Sequence, residues 1–235
     1  MASPIASPAQ IKCKGVLFDM DGILVSSIGS VVRSWSIWAR MRGVDPQLTC
    51  KIAHGQRAID TLAQLRPDLD SEAELKIIED LEVEDNDDLT VLPGVLDLLA
   101  ALPARNGKHR WTVVTSATER LARARMAAGG VPAPDELVTA DFVTRGKPHP
   151  EPYLAGAALL GVHPAECVVF EDSALGARAG REAGCIVVAT TFSHPAEQLD
   201  AAHYLVNDLV GIQVQLHPRD EGFTLEFTPI ARQSE

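Results

Sequence analysis

The chain has 235 residues, 46% hydrophobic and 23% charged, an ordinary globular composition that suits one large domain or a core with an insert. Its formal net charge of −11 excludes, as an expectation, nucleic-acid and membrane-surface partners, which need clustered Lys and Arg. No stretch approaches the ~20 uninterrupted apolar residues of a transmembrane helix. Residues 1–10 are small and polar, with Pro4 and Pro8, and lack the basic and apolar regions of a secretory signal. A flexible N-terminus is expected there. Cys13, Cys50, Cys167 and Cys185 show no Cys-x-x-Cys spacing, and reduced, mostly buried thiols of a cytoplasmic protein are expected.

The first apolar run, residues 15–19, reads as a buried strand, and the next such run begins only at Trp111. That gap far exceeds the ~30 residues of a βαβ unit, so something extra folds between them. Ile28, Val31, Val32, Trp35, Trp38 and Ala39 follow helical spacing, as do Ile59, Leu62 and Leu65, and then Leu75, Ile78 and Leu81. A small all-helical cap over residues 26–88 is inferred, with Trp35 and Trp38 in its core. The acidic run at 82–88 reads as a solvated return linker rather than a metal site.

From residue 89 the pattern alternates. Helices are expected at 95–102, 119–128, 150–160 and 174–183, the last three stopped by Gly129-Gly130, Gly161 and Gly184. Strands are expected at 111–115, 136–140, 167–171 and 185–190. These runs are Val-rich and do not alternate, as strands buried on both faces should not. The reading is α/β: a Rossmann-like, doubly wound parallel sheet formed by 11–25 plus 89–210, with the cap inserted after the first strand. Strict alternation in 212–216 and 223–227 predicts a C-terminal β-hairpin within 211–231.

Chemistry-bearing residues fall at the predicted strand ends, the edge where open α/β sheets gather ligands. Asp19 and Asp21 close the first strand before a turn at Gly22. Adjacent carboxylates need a cation or a shared proton, and a nucleophile with a proton donor fits; alone, the same pattern also fits a calcium loop or a plain turn. Thr115-Ser116 open a helix and can hold phosphate oxygens or simply cap it. Lys147, set among Pro148 and Pro150, is a phosphate-binding cation or a surface lysine. Glu171-Asp172 leave an apolar strand with oxygen ligands suited to Mg2+, or Asp172 is an N-cap.

In this order Phe18-Asp19-Met20-Asp21-Gly22, Thr115-Ser116, Lys147-Pro148 and Glu171-Asp172 resemble the four signature motifs of the haloacid dehalogenase superfamily, and the cap position is similar to that of its helical-cap group. His54-Gly55-Gln56-Arg57, residues 146–154 and residues 168–176 look closest to glycerol-phosphate and 2-deoxyglucose-6-phosphate phosphatases. The resemblance implies that Asp19 is the nucleophile of an aspartyl-phosphate pathway and Asp21 the general acid and then base. It implies that Thr115 and Lys147 bind phosphate oxygens, and that Mg2+ is held by Asp19, the Asp21 carbonyl and Asp172, with Glu171 helping directly or through water.

Ile23 and Ser26 depart from the family's usual motif, Ser26 standing where an acid is common at the cap neck. In the cap, His54, Gly55 and Arg57 are the candidates for reading the leaving group. The expected substrate is a small phosphorylated polyol or sugar, and the expected state is a monomer or weak homodimer. A phosphomutase and a non-catalytic sugar-phosphate-binding regulator are the alternatives. His109, His163, His194, His203 and His217 receive no role.

Overall fold

The structure, a computed structural model, describes residues 7–105, 108–218 and 222–231. The strands are β1 (Ala9–Cys13), β2 (Gly15–Phe18), β3 (Val25–Ser26), β4 (Thr90–Val91), β5 (Ala104–Arg105), β6 (Lys108–His109), β7 (Trp111–Val113), β8 (Cys167–Glu171), β9 (Ile186–Thr190), β10 (Tyr204–Val206), β11 (Gln213–Leu216) and β12 (Phe223–Phe227). The helices are α1 (Ile28–Arg42), α2 (Pro46–Ala53), α3 (Ala58–Leu65), α4 (Ser71–Glu84), α5 (Val95–Ala101), α6 (Glu119–Gly129), α7 (Glu151–Leu160) and α8 (Ala174–Glu182).

The central sheet has the order β10-β9-β8-β2-β7 and every pairing in it is parallel. Successive strand side chains point to opposite faces. Val16, Phe18, Val113, Phe170 and Val188 therefore pack on one side with Leu98 and Met126, while Leu17, Val169 and Val187 pack on the other with Tyr153, Ala157 and Ala177. Both faces are covered, which is why these strands read as unbroken apolar runs. The antiparallel pair β3–β4 is the neck through which the chain leaves the core and returns. Between the two neck strands α1 to α4 enclose a separate core of Trp35, Trp38, Ala39, Leu62 and Ile78. No helix among the described residues is long and apolar enough to cross a membrane.

Three expectations differ from the structure. Residues 136–140 form no strand; the segment contributes an isolated parallel bridge between Val114 and Val138. Val138 N donates to Val113 O at the end of β7, but the next bonds, Thr115 N to Val138 O and Ala140 N to Ala117 O, are made with the irregular loop that follows it. Of the expected flexible N-terminus, residues 1–6 lie outside the described residues, but Ala9 and Gln10 belong to β1, which pairs with β12 of the terminal hairpin. Ile11 and Cys13 face inward there while Gln10 and Lys12 face solvent, a two-residue alternation that ties the two ends of the chain together. The acidic run 82–88 is not a uniformly solvated linker either. Helix α4 continues to Glu84, Asp85 and Asp88 pair with Arg33, and Glu82 is buried. Strand β10, not foreseen, extends the sheet beyond β9.

Candidate active site

The ends of β2, β7 and β8 converge beneath the cap. Asp19 N donates to Phe170 O at 2.9 Å, which fixes the residue where β2 leaves the sheet. The chain then turns tightly, with Gly22 N donating to Val25 O. Gly22 has φ of 80°, and a Cβ there would overlap the Asp172 carboxylate, so only glycine lets the turn after Asp21 approach Asp172 so closely.

Asp19 Oδ1 accepts from Lys147 Nζ at 2.8 Å, and the same ammonium donates to Glu171 Oε1 at 2.7 Å. Glu171 is fully buried and richly partnered. Its Oε1 also accepts from Tyr153 Oη at 2.8 Å, and its Oε2 accepts from Asp172 N, Ser173 N and Ser173 Oγ. The Lys147 ammonium lies 5.0 Å from the Tyr153 ring centre. Glu171 thus holds Lys147 in place. Asp172 is anchored differently: Ser193 Oγ donates to its Oδ2, His194 Nδ1 lies 3.0 Å from its carbonyl, and His54 Nε2 stands 3.8 Å from Oδ2. Tyr153, although inside the 146–154 segment, and Ser193 and His194 carried no role from sequence; their distance to the motif carboxylates gives them one.

Carboxylate oxygens of Asp19, Glu171 and Asp172 lie within 4.8 Å of one another. Burial pushes the Asp19 carboxyl well above the usual carboxylate range, against the lowering by Lys147, and the neighbouring Glu171 and Asp172 charges add to the rise. Burial likewise raises Asp172. Lys147 is also buried, which opposes its charge, but the Asp19 and Glu171 carboxylates outweigh that and hold its proton above the usual lysine range. Three buried carboxylates thus face one ammonium, an imbalance that a divalent cation would offset. The oxygen donor set suits a hard cation, with Asp19 and Asp172 the carboxylates left with capacity for it.

This electrostatic imbalance has a measurable consequence. A carboxyl whose folded pKa is raised destabilises the fold increasingly as pH climbs from its unfolded value, about 4, toward the raised one. At neutral pH, Mg2+ is therefore expected to raise the thermal midpoint, by the equivalent of about 2.7 kcal/mol at 100 times its Kd. Asp172→Asn should remove that increment while leaving the metal-free protein at least as stable. Calorimetry showing the full increment in the variant would rule out Asp172 as a ligand.

Between cap and core lies a cavity of about 290 Å3. Asp19, Asp21, Thr115, Ser116, Asp172, His54, Gly55 and Arg57 all line it, while Lys147 and Glu171 sit behind Asp19. Thr115 Oγ1 accepts from Ala117 N at 3.1 Å at the start of the α6 turn. Gly55, φ 80°, bends the cap loop so that its carbonyl accepts from Ser116 Oγ at 3.3 Å. Arg57 lines the cavity, but its fork grips Asp60 with Nε and Nη2, and Nη1 donates to Val143 O at 3.0 Å, tying cap to core. The Asp172 carboxylate beside His54 raises the pKa of that imidazole despite its burial.

Asp21 points away from Asp19's ammonium partner. Ser27 Oγ donates to its Oδ1 at 2.5 Å, and Arg125 Nη1 donates to its Oδ2 at 2.8 Å. Ser27, not Ser26, is therefore the neck residue that touches the acid. Arg125, on α6, is itself buried and lies 3.3 Å from Glu82 of the cap helix α4.

Comparison with known proteins places this geometry. Hexitol phosphatase A of Escherichia coli strain K12 is 39% identical over 214 residues, which cover 90% of this chain and 98% of that protein. Glycerol-1-phosphate phosphohydrolase 2 of Saccharomyces cerevisiae is 34% identical over 196 residues, covering 79% of this chain and 78% of its own. The crystal structure of a hydrolase from Pseudomonas syringae superposes with a TM-score of 0.74 at 23% identity, over 84% of this chain and 94% of that one, and so shares the fold. The family model of haloacid dehalogenase-like hydrolases matches residues 13–184, a span that begins just before β2 and takes in Asp19, Asp21, Thr115-Ser116, Lys147 and Glu171-Asp172. With the strand order, the cap insertion and the acidic cluster already in place, this chain belongs to the haloacid dehalogenase-like hydrolases.

Proposed function

We propose that this enzyme hydrolyses phosphomonoesters of small polyols or sugars with Mg2+, through an aspartyl-phosphate on Asp19. The observation that carries the reading is the Asp19 carboxylate, at the sheet's ligand-binding edge, lining a closed-over cavity with Lys147 2.8 Å behind it and Asp21 two residues on. Relatives named as hexitol and glycerol-1-phosphate phosphatases support the substrate class.

In the first step an Asp19 oxygen bonds to phosphorus as the ester P–O bond breaks, and Asp21 gives a proton to the departing alkoxide. In the second, Asp21 takes a proton from a water whose oxygen attacks phosphorus, releasing phosphate and restoring Asp19. Thr115, Ser116 and Lys147 hold the phosphoryl oxygens, and Glu171 with Tyr153 keeps Lys147 aimed. A Mg2+ ion held by Asp19, Asp172 and the Asp21 carbonyl would screen the nucleophile's charge from that of the phosphate. The cap excludes bulk water from the phosphoenzyme. His54 and Arg57 contribute to leaving-group recognition from the cap loop. The four cysteines are unpaired, which supports a reducing, cytoplasmic setting.

A phosphate-release screen over hexitol, glycerol and deoxyhexose phosphates tests the reading. Release from at least one of these classes, abolished by chelator and restored by Mg2+, is the expected result. Purified protein that releases phosphate from none of them with Mg2+ present overturns it.

A further inference from the structure

The cavity beneath the cap is not uniform, and the phosphoryl chemistry uses only its floor. Asp19, Asp21, Thr115, Ser116 and Asp172 lie there, on the core. His54 and Arg57 also sit low: His54 Nε2 is 3.8 Å from Asp172, and Arg57 Nη1 donates to the Val143 carbonyl of the core. Above them the cap presents hydrocarbon. Ile28, Val31 and Val32 of α1, Ile59 of α3 and Leu75 of α4 line the same cavity. Ile28, Val32 and Ile59 take part in none of the three apolar cores of the described residues, and Val32 is 44% exposed. Core packing therefore does not account for these three, and their aliphatic surface faces a space that a ligand fills.

From this division we infer that the roof of the cavity is a subsite for a hydrocarbon portion of the leaving group. The enzyme thereby selects esters that are hydroxylated near the phosphate and bare of hydroxyls further out, that is, deoxygenated polyol or sugar phosphates. This deepens the substrate class proposed above and rests on the phosphate lying at Asp19. A hydroxyl carried up against α1 and α3 leaves water and finds no partner on these aliphatic side chains, which is unfavourable. A methylene in the same place covers them and is favoured by its own burial. The preference grows with the length of the leaving group, because a short one ends near the floor.

The polar side chains that the cap helices bring to this cavity are committed elsewhere. Glu79 accepts from Thr118 Oγ1 and pairs with Arg120, Gln56 Nε2 donates to Ile52 O, and Glu82 lies beside Arg125. Glu72 is exposed. With Glu79 and Asp141 it also lines the open hollow outside the cap–core seam, where Lys76 and Arg120 stand, and so marks the mouth rather than the roof.

The test separates binding from turnover. Hexane-1,2-diol 1-phosphate and sorbitol 6-phosphate share a six-carbon chain and a hydroxyl next to the ester carbon, and differ in the hydroxyls beyond it. Calorimetric titration of each into full-length Asp19→Asn protein with Mg2+ reads affinity without hydrolysis. The diol phosphate is expected to bind at least about tenfold tighter, with a more negative heat-capacity change, the mark of apolar burial. Val32→Thr with Ile59→Thr in the same background puts a hydroxyl on each wall and should bring the two affinities within about threefold. If that protein does not fold, Val32→Thr alone must narrow the ratio in the same direction. Equal affinities in the Asp19→Asn protein, tighter binding of sorbitol 6-phosphate, or a ratio unmoved by the threonines overturns the inference. Failure of the unaltered enzyme to release phosphate from either ester, with the binding preference intact, would instead count against the phosphatase reading alone.

Discussion

Asp19→Asn is expected to lower phosphate release by roughly 10⁴- to 10⁶-fold, the scale on which removal of a covalent nucleophile acts. An amide oxygen is a poor nucleophile toward phosphorus, and no other carboxylate can take its place. Glu171 is saturated by donors from Lys147, Tyr153, Asp172 and Ser173, and Asp172 is turned toward Ser193 and His54. The same change should not harm the fold. Asn retains an acceptor for Lys147, and the substitution removes one of three mutually repelling buried carboxylates. Stability of the metal-free variant at neutral pH should therefore equal or exceed that of the parent, a strained site giving up activity for stability. Thermal unfolding alongside kinetics checks both halves. A variant that loses activity only in proportion to lost folded protein would contradict the argument.

Lys147→Met carries the largest expected cost in stability. Among the described residues its ammonium is the single cation in hydrogen-bond contact with both Asp19 and Glu171, and removing one partner of such a buried network costs about 3–5 kcal/mol. Two carboxyls then stand in a dry environment without their counter-charge: the Asp19 carboxyl rises further, and Glu171, which Lys147 helps to hold below the usual carboxylate range, loses that lowering. The deficit should accordingly shrink as pH falls and both become neutral, and it should shrink at neutral pH when Mg2+ is added. Turnover should fall by about 10² to 10³ as a phosphate-binding donor disappears. Denaturant titrations across pH, with and without Mg2+, provide the measurement. A deficit independent of both would mean that lost packing, not lost charge, explains the effect.

Much of this site is legible in the sequence because its main residues end strands. Asp19, Thr115 and Glu171-Asp172 each follow a short Val-rich run, and a parallel sheet brings such ends to one edge whatever lies between them. The cap is legible for a similar reason: its stripes at Trp35 and Trp38, Leu62 and Ile78 meet in a core of their own. The supporting residues are not legible. Tyr153 looks like one more apolar position on α7, and its bond to Glu171 exists only once the helix is laid across the sheet. Arg125 and Asp21 lie 104 positions apart, and an arginine among Arg120 and Arg123 on one helix resembles a solvated charge.

Glu82 was hidden by composition. It opens an acidic run that reads as linker, but the helix carries it one turn further than the charge pattern suggests and buries it against Arg125. The segment at 136–140 misled in the opposite way. Its apolar run is genuine and partly buried, yet it borders the irregular loop after β7, where a regular ladder has no partner to continue along. Strand β1 needed knowledge of the far terminus, since its partner residues 223–227 close the chain from the other end.

The account turns on a phosphoryl group residing on Asp19. Quenching the enzyme with borohydride during steady turnover of a good substrate converts an aspartyl phosphate to homoserine, which peptide mass spectrometry locates. Homoserine at position 19, dependent on substrate and Mg2+ and missing when substrate is withheld, is the result expected here. Sustained phosphate release with position 19 unmodified, or with homoserine at position 21 or 172 instead, would contradict it.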